Sequence, residues 1–365
     1  MKNSTVRSQK YITILFAGVT AAILFAAVIS ACVGKYPISF QDILHILVGR
    51  GGVSDMTRRV FLTLRLPRTL MAILSGIALG LAGSVYQLIF KNPLASPDII
   101  GIAGGANLGA AAAIVLVSSS GVLPTAIGAF WGGLAAVVCV MLLTRVTGSR
   151  STATYVLAGI VINAVSKSLI MVLKYFADPD NELAAMEYWE MGTFGNVTTS
   201  KVLSILPLFA MGLIGLLLLR RQIELMALGD EECRGLGVRL RPTRAAVLLL
   251  STLLVSSVIC ITGLVAFAGL IAPHTARLML RRNDSLTLLM SGLMGALVVL
   301  CADILARTLY SSELPISILT TVIGVPILVY FMCKRGGAAW ASAATPAASP
   351  AAALSTPPGS GSRPS

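Results

Sequence analysis

The sequence has little charge and little histidine, and these shortages exclude several classes of protein. Only 12% of its 365 residues are charged, whereas charged residues make up about a quarter of ordinary soluble domains. Two histidines are present, His45 and His274, and the six cysteines are scattered without a C-x-x-C pair. So few soft ligands support neither a haem nor a metal site, and we expect none in this chain.

The sequence also lacks the short motifs of hydrolytic enzymes. It contains neither the phosphate loop G-x-x-x-x-G-K-[ST], nor H-E-x-x-H, nor G-x-S-x-G. Its apolar segments carry no cluster of carboxylates of the kind that relays protons in ion-coupled pumps. We therefore expect no catalytic residue and no cofactor in this chain. If it transports a solute actively, another subunit must supply the energy.

What the sequence has in abundance is apolar segments of membrane length. Hydrophobic residues make up 56% of the chain and the mean hydropathy is +0.87. Because ~20 residues cross the hydrocarbon core, the uncharged stretches predict ten spans in an all-α integral membrane fold. Two pairs of adjacent spans are separated only by predicted breaks, one at Ser118–Gly121 and the other at Thr262-Gly263. The predicted spans are 12–33, 69–90, 99–117, 123–144, 153–175, 202–219, 245–261, 264–280, 286–308 and 315–333.

The distribution of basic residues predicts the orientation. An even number of spans puts both termini on one side, and assigning that side to the cytoplasm places most of the 28 basic residues there. The net charge of +13 thus reflects membrane topology and does not indicate nucleic-acid binding. The exception is the basic segment 34–68, predicted as an exposed outer loop. It is either a solvated loop in contact with lipid head groups or a docking surface for an acidic partner.

The largest predicted inner segment, 220–244, is not apolar enough to span a membrane. Its pattern predicts two short helices broken at Gly229 and stopped at Gly235 or Gly237. Leu225, Met226, Leu228 and Leu236 give it an amphipathic patch that would lie on the membrane surface or fit a groove of a partner. Because acidic and basic residues are mixed there, we favour a protein partner.

Several motifs in order along residues 12–335 resemble the iron-siderophore/cobalamin permease family (FecCD-type) of bacterial ABC importers. Motifs of this length and order are not expected by chance. The matching motifs are Arg65-Leu66-Pro67-Arg68, Asn92-Pro93-Leu94-Ala95, Leu157-Ala158-Gly159, Ala227-Leu228-Gly229-Asp230 with Leu236-Gly237, Gly269-Leu270-Ile271 with Pro273-His274, Asp303-Ile304 with Arg307, and Glu313-Leu314-Pro315.

The resemblance implies a ten-helix permease with the type II importer fold in the bacterial cytoplasmic membrane. Family members pair with a second permease subunit, identical or different, and with two cytoplasmic ATPase subunits that bind ATP and Mg. An extracytoplasmic binding protein delivers a metal chelate, for which a ferric siderophore is favoured over cobalamin or haem. A weak five-helix repeat is hinted at by Ser75-Gly76 and Ser291-Gly292. An ion-coupled secondary transporter is the alternative from another class.

The resemblance also implies roles for particular residues. Arginines matching Arg65, Arg68 and Arg307 pair with glutamates of the binding protein on the outer face. An inner gate falls at Thr152 and Ala153, although a plain helix N-cap explains the hydroxyl group equally well. The residues implied to couple to the ATPase are Ala227, Leu228, Gly229, Asp230, Leu236 and Gly237.

Two features depart from the family pattern. Lys167 lies in the middle of a predicted span, where it either faces a watery pathway and attracts an anionic chelate or is neutralised by snorkelling or a carboxylate. The segment 336–365, rich in Ala, Pro, Ser and Gly, is predicted to be a disordered cytoplasmic tail. The predicted organisation is thus a cytoplasmic N-terminus (1–11), a ten-helix domain (12–335) and this tail.

Overall fold

The computed structural model describes residues 2–117, 121–148, 152–228, 230–310 and 312–343, and their regular structure is helical throughout. Two π-helical turns occur among these residues, Phe61–Arg65 and Pro179–Leu183. The α-helices are α1 (Lys2–Cys32), α2 (Phe40–Val48), α3 (Asp55–Val60), α4 (Leu66–Ile89), α5 (Ile102–Leu116), α6 (Val122–Val146), α7 (Thr152–Phe176), α8 (Ala184–Met191), α9 (Thr199–Leu218), α10 (Arg220–Leu225), α11 (Asp230–Gly235), α12 (Leu240–Thr262), α13 (Ala268–Leu280), α14 (Ser285–Thr308) and α15 (Ile316–Ala343).

A helix lies in each of the ten segments predicted to span the membrane. Seven of the described helical stretches are long and apolar enough to do so by themselves. Helix α5 (Ile102–Leu116) and the apolar part of α15 (Ile316–Tyr330) are shorter. Helix α13 has 13 residues. The break predicted at Thr262-Gly263 is confirmed, because α12 ends at Thr262. Of the other predicted break, Ser118, Ser119 and Ser120 lie outside the described residues, and the flanking helices are separate.

The chain forms two compact units, residues Met1–Gly324 and Val325–Ser365. The first contains the helical bundle. In the second, helix α15 continues to Ala343, past the boundary predicted at residue 335. The rest of the predicted tail, 344–365, lies outside the described residues.

Helix α4 lies at the centre of the bundle, while α1 and α7 lie at its edge. Most of α4 is buried and packs against α12, α13 and α14. Most of α1 and α7, in contrast, expose apolar side chains such as Phe25 and Val172. In lipid such faces need no protein cover. A second subunit can also cover them.

Small residues set the distance between the central helices. A β-carbon at Gly76 would collide with the carbonyl oxygen of Gly295, and one at Gly80 with that of Ser291. Helices α4 and α14 therefore touch backbone to backbone, as small residues at four-residue spacing predict. Helices α5 and α6 make the same kind of contact through Gly109.

The segment predicted as an exposed basic loop, 34–68, is largely helical. Helix α2 is capped by the Ser39 side chain, which accepts the Asp42 amide, and the Ser54 side chain caps α3 by accepting the Thr57 amide. From Asp55 the chain runs as one helical stretch of 35 residues to Ile89. The expected exposure of Arg65 and Arg68 is wrong, because both lie in this stretch with 9% of their surface exposed.

Candidate functional site

A cluster of charged residues lies at the end of the bundle where α4 begins and α14 ends. The guanidinium of Arg68 donates from Nε to Asp303 Oδ1 over 2.9 Å and from Nη1 to Glu313 Oε1 over 2.8 Å. Asp303 is fully buried, whereas about a third of the Glu313 side chain is exposed. A buried carboxylate needs such cationic partners, since burial of an unpaired charge is costly.

Arg307 and Arg65 extend this cluster to the end of α1. Arg307 donates from Nη2 to the Ser30 hydroxyl over 2.7 Å and lies 3.3 Å from Asp303 through Nε. Arg65 donates from Nη1 to the Val33 carbonyl oxygen over 2.6 Å. The cluster therefore ties the ends of α1, α4 and α14 together. We call it the outer charge cluster (Arg65, Arg68, Asp303, Arg307 and Glu313), after the side of the membrane predicted for the segment 34–68.

The structure thus brings the three predicted docking arginines to one place. Each of them already has partners within the chain, and Arg307 is only 7% exposed. The basic side chains of this region that are exposed are Lys35, Arg50, Arg58 and Arg59. Docking through Arg65, Arg68 and Arg307 stays a prediction, and an approaching carboxylate would have to replace Glu313 to reach Arg68.

The predicted coupling segment lies at the opposite end of the bundle. Helix α9 begins beside the π-helical turn Phe61–Arg65, where the Thr199 hydroxyl donates to the Leu62 carbonyl oxygen over 3.3 Å. Its 20 residues carry the chain about 30 Å along the bundle. Helices α10 and α11 follow, so the two short helices expected within 220–244 are confirmed.

Three buried side chains anchor the α10–α11 segment to the bundle. Ile223 and Cys233 are fully buried and Met226 is 2% exposed, while the Cys233 thiol donates to the Leu225 carbonyl oxygen over 2.9 Å. The expectation that Met226 belongs to the exposed patch is wrong, because its side chain packs into the main core.

Three of the residues that the resemblance singled out are exposed, namely Leu228, Leu236 and Gly237. Leu228 is 41% and Leu236 59% exposed, and Gly237 has the positive φ of +80° that favours glycine. Ala227 lies partly buried beside them and Asp230 begins α11. Gly229 lies outside the described residues.

The turn between α4 and α5 is clamped against α7. The Asn163 side chain donates from Nδ2 to the Asp98 carbonyl oxygen over 2.7 Å. A β-carbon at Gly159 would collide with the Ile99 carbonyl oxygen. The lack of a side chain at Gly159 of the Leu157-Ala158-Gly159 motif therefore lets this turn approach α7 closely. Any movement of α7 must carry the turn with it or break these contacts.

The predicted gate residues lie where α7 begins. Thr152 is its first residue and Ala153 is exposed, whereas Ser151 lies outside the described residues. Lys167 is exposed on the same helix and shares its side with Met171, an exposed apolar residue four positions on. Within the described part of the chain no ion pair involves Lys167. The gate stays a prediction.

The model of the FecCD transport family matches residues 22–334 of this sequence. The chain belongs to the FecCD transport family. It is accordingly a multi-pass permease of an ABC importer, and it acts as a transport component of such a system.

Relatives of the permease are named for different cargoes. The molybdate import system permease protein MolB of Haemophilus influenzae is 35% identical over 90% of this chain and 98% of its own. The hemin transport system permease protein HmuU of Yersinia pestis is 35% identical over 84% and 91%. The vitamin B12 import system permease protein BtuC of Salmonella typhi is 32% identical over 86% and 92%.

A solved structure supports the fold of the permease. It shows an inward-facing transporter described as being of the metal-chelate ABC type. The TM-score is 0.79 and the identity 31%, over 88% of this chain and 99% of the other. The predicted type II importer fold is therefore confirmed for the permease.

Sequence reasoning gave no role to Asp303 and Glu313, the acidic members of the outer charge cluster. A signal was present for Asp303, because an acid and a base four residues apart on an apolar helix face the same side. Asp303 and Arg307 have that spacing. No such local signal exists for Glu313, which meets Arg68 from a distant part of the permease sequence.

Proposed function

We propose that this permease imports a ferric siderophore across the bacterial cytoplasmic membrane as part of a binding-protein-dependent ABC importer. Its partners would be a second permease subunit, preferably identical, two cytoplasmic ATPase subunits and an extracytoplasmic binding protein. ATP and Mg would bind only to the ATPase subunits. Both termini would face the cytoplasm.

The observation that carries this proposal is that the bundle bears two different surfaces at its opposite ends. One end presents exposed cations, among them Arg58 and Arg59, above the outer charge cluster. The other presents exposed leucines on the anchored α10–α11 segment. A secondary transporter needs neither surface, whereas an importer fed by an acidic binding protein and driven by an ATPase needs both.

The proposed docking site uses the outer charge cluster as its base. Arg58 and Arg59 would attract a carboxylate of the binding protein by long-range electrostatic forces. That carboxylate would then replace Glu313 on Arg68, because Glu313 is the cluster's exposed acid. Asp303 would remain in place and keep Arg68 oriented.

Coexpression of the tagged permease with the ATPase and binding protein of its own transporter tests the proposal. We expect the ATPase to copurify in mild detergent, and proteoliposomes containing ATP to accumulate ferric siderophore in preference to cobalamin, haem or molybdate. Arg58→Glu with Arg59→Glu should weaken binding-protein affinity at least tenfold. Reproducible absence of the ATPase would refute the proposed assembly with ATPase subunits. Preference for another cargo would refute the siderophore assignment alone.

Lys167 allows a separate prediction about the charge of the cargo. An unpaired cation on an exposed apolar helix is unfavourable in lipid, so we propose that this side of α7 faces a water-filled pathway shared with the second subunit. Lys167→Met should lower the uptake of an anionic chelate roughly tenfold, while Lys167→Arg should retain it. Transport assays in proteoliposomes at fixed permease content measure the effect. Unchanged uptake by Lys167→Met would exclude the pathway role.

A further inference from the structure

The permease has a strongly basic cavity that the proposed function does not use. It lies where α6 ends, α7 begins and α11 leads into α12, and its volume is about 940 Å³. Its described lining contains no carboxylate. Five arginines line it, namely Arg145, Arg234, Arg239, Arg241 and Arg244.

The arginines occupy different positions in the cavity. Arg244 is 6% exposed, and its guanidinium carbon lies 5.7 Å from the centre of the Tyr155 ring, within the range of a cation–π interaction. Arg145, Arg239 and Arg241 are exposed. One cation is thus fixed at the base of the cavity and the others surround its opening, an arrangement that favours a bound anion.

The rest of the lining favours an amphipathic ligand. Met141, Val238 and Leu240 add apolar surface to the cavity. The cavity also lies at the ends of two helices long and apolar enough to cross a membrane, because α6 ends at Val146 and α12 begins at Leu240. Side chains at such ends reach the level of the lipid head groups. An acyl chain leaving the cavity would meet exposed apolar side chains of α6, of which Leu142 is 54% exposed.

We propose that this cavity binds the phosphate head group of an anionic phospholipid from the leaflet on the α10–α11 side of the membrane. Guanidinium groups bind phosphate oxygens in pairs, and basic pockets between helix ends hold anionic head groups. A soluble phosphate has the same head-group chemistry but makes no use of the apolar wall. Bound lipid would join the end of α6, the start of α7 and the α11–α12 connection.

Native mass spectrometry of the full chain in detergent tests the proposal. The permease is mixed with equal amounts of phosphatidylglycerol and phosphatidylcholine of the same acyl length, and separately with inorganic phosphate. The test variant is Arg239→Gln with Arg241→Gln. The control is Arg220→Gln with Arg221→Gln, which removes the same charge from exposed residues of the same side that do not line the cavity.

We expect the permease and the control to retain phosphatidylglycerol over phosphatidylcholine, and the test variant to retain it about tenfold less. Arg145→Gln, on the α6 side of the cavity, should give a similar loss and serves if the double variant is poorly folded. Equal retention by the test variant and the control would overturn the proposal. Saturation by inorganic phosphate without selective retention of phosphatidylglycerol would overturn the assignment to lipid.

Discussion

Replacement of Asp303 by alanine should leave little correctly folded permease in the membrane. The fully buried carboxylate lies 2.9 Å from Arg68 and 3.3 Å from Arg307. Its removal leaves two largely buried guanidinium groups without their shared counter-ion, and the loss of one partner of a buried ion pair costs about 3–5 kcal/mol. Thermal unfolding in detergent and the yield of monodisperse protein measure the effect.

Two variants show whether the effect comes from charge. Asp303→Asn keeps the shape and a hydrogen-bond acceptor, so it should lose part of the stability. Glu313→Gln should be mild, because the Glu313 side chain is one-third exposed and water can replace its contact with Arg68. If Asp303→Ala unfolds at the same temperature as the wild type, the buried cluster does not hold these helix ends together.

The same geometry limits what charge reversal can reveal about docking. Arg68→Glu would place a carboxylate beside Asp303 and Glu313, so loss of uptake could come from misfolding alone. Arg58 and Arg59 are exposed and can be reversed without disturbing the buried cluster. These two positions therefore separate docking from stability.

Replacement of Leu228 and Leu236 by glutamate should abolish ATP-driven uptake. Both leucines are exposed in the free chain, and burial of each in a partner's groove would contribute about 1.5–3 kcal/mol. A charge at each position adds a desolvation cost, so the affinity for the ATPase should fall at least 100-fold. Copurification of the ATPase and uptake by proteoliposomes are the measurements.

The permease itself should remain folded in this double variant. Its α10–α11 segment is anchored by Ile223, Met226 and Cys233, which the substitutions do not touch. Leu309→Glu is the matched control, because Leu309 is also 59% exposed but lies beside the outer charge cluster. Normal ATPase binding by the Leu228 and Leu236 variant would rule out this segment as the coupling surface.

The helices could be predicted well because the length of an apolar stretch and the helix-breaking residues at its ends are local properties of the sequence. Helix α14 lies within a residue of the predicted span 286–308, and α12 ends at the break predicted at Thr262-Gly263. The number of helices that cross the membrane could not be predicted in the same way. It depends on the short apolar lengths of α5, α13 and α15, which hydropathy alone did not give.

Side-chain environments were predicted less well because they depend on distant parts of the chain. Met226 and Leu228 are both apolar and only two residues apart, yet the core covers Met226 and leaves Leu228 exposed. Arg68 looked like a surface arginine from its neighbours. It is buried because Asp303 and Glu313, more than 200 residues away, meet it.

The helical stretch Asp55–Ile89 has a mechanical consequence. Its 35 residues measure about 50 Å, which exceeds the ~30 Å of hydrocarbon. The charged residue Lys91 lies just past one end of the stretch and places that end near the membrane surface. The excess length therefore projects at the other end, which carries Arg58 and Arg59. A load applied there acts on one helical stretch that contains the π-helical turn Phe61–Arg65, and the turn that follows Ile89 is held by Asn163 on α7. We therefore expect tension at the projecting end to reach the helix that carries Lys167 through this turn.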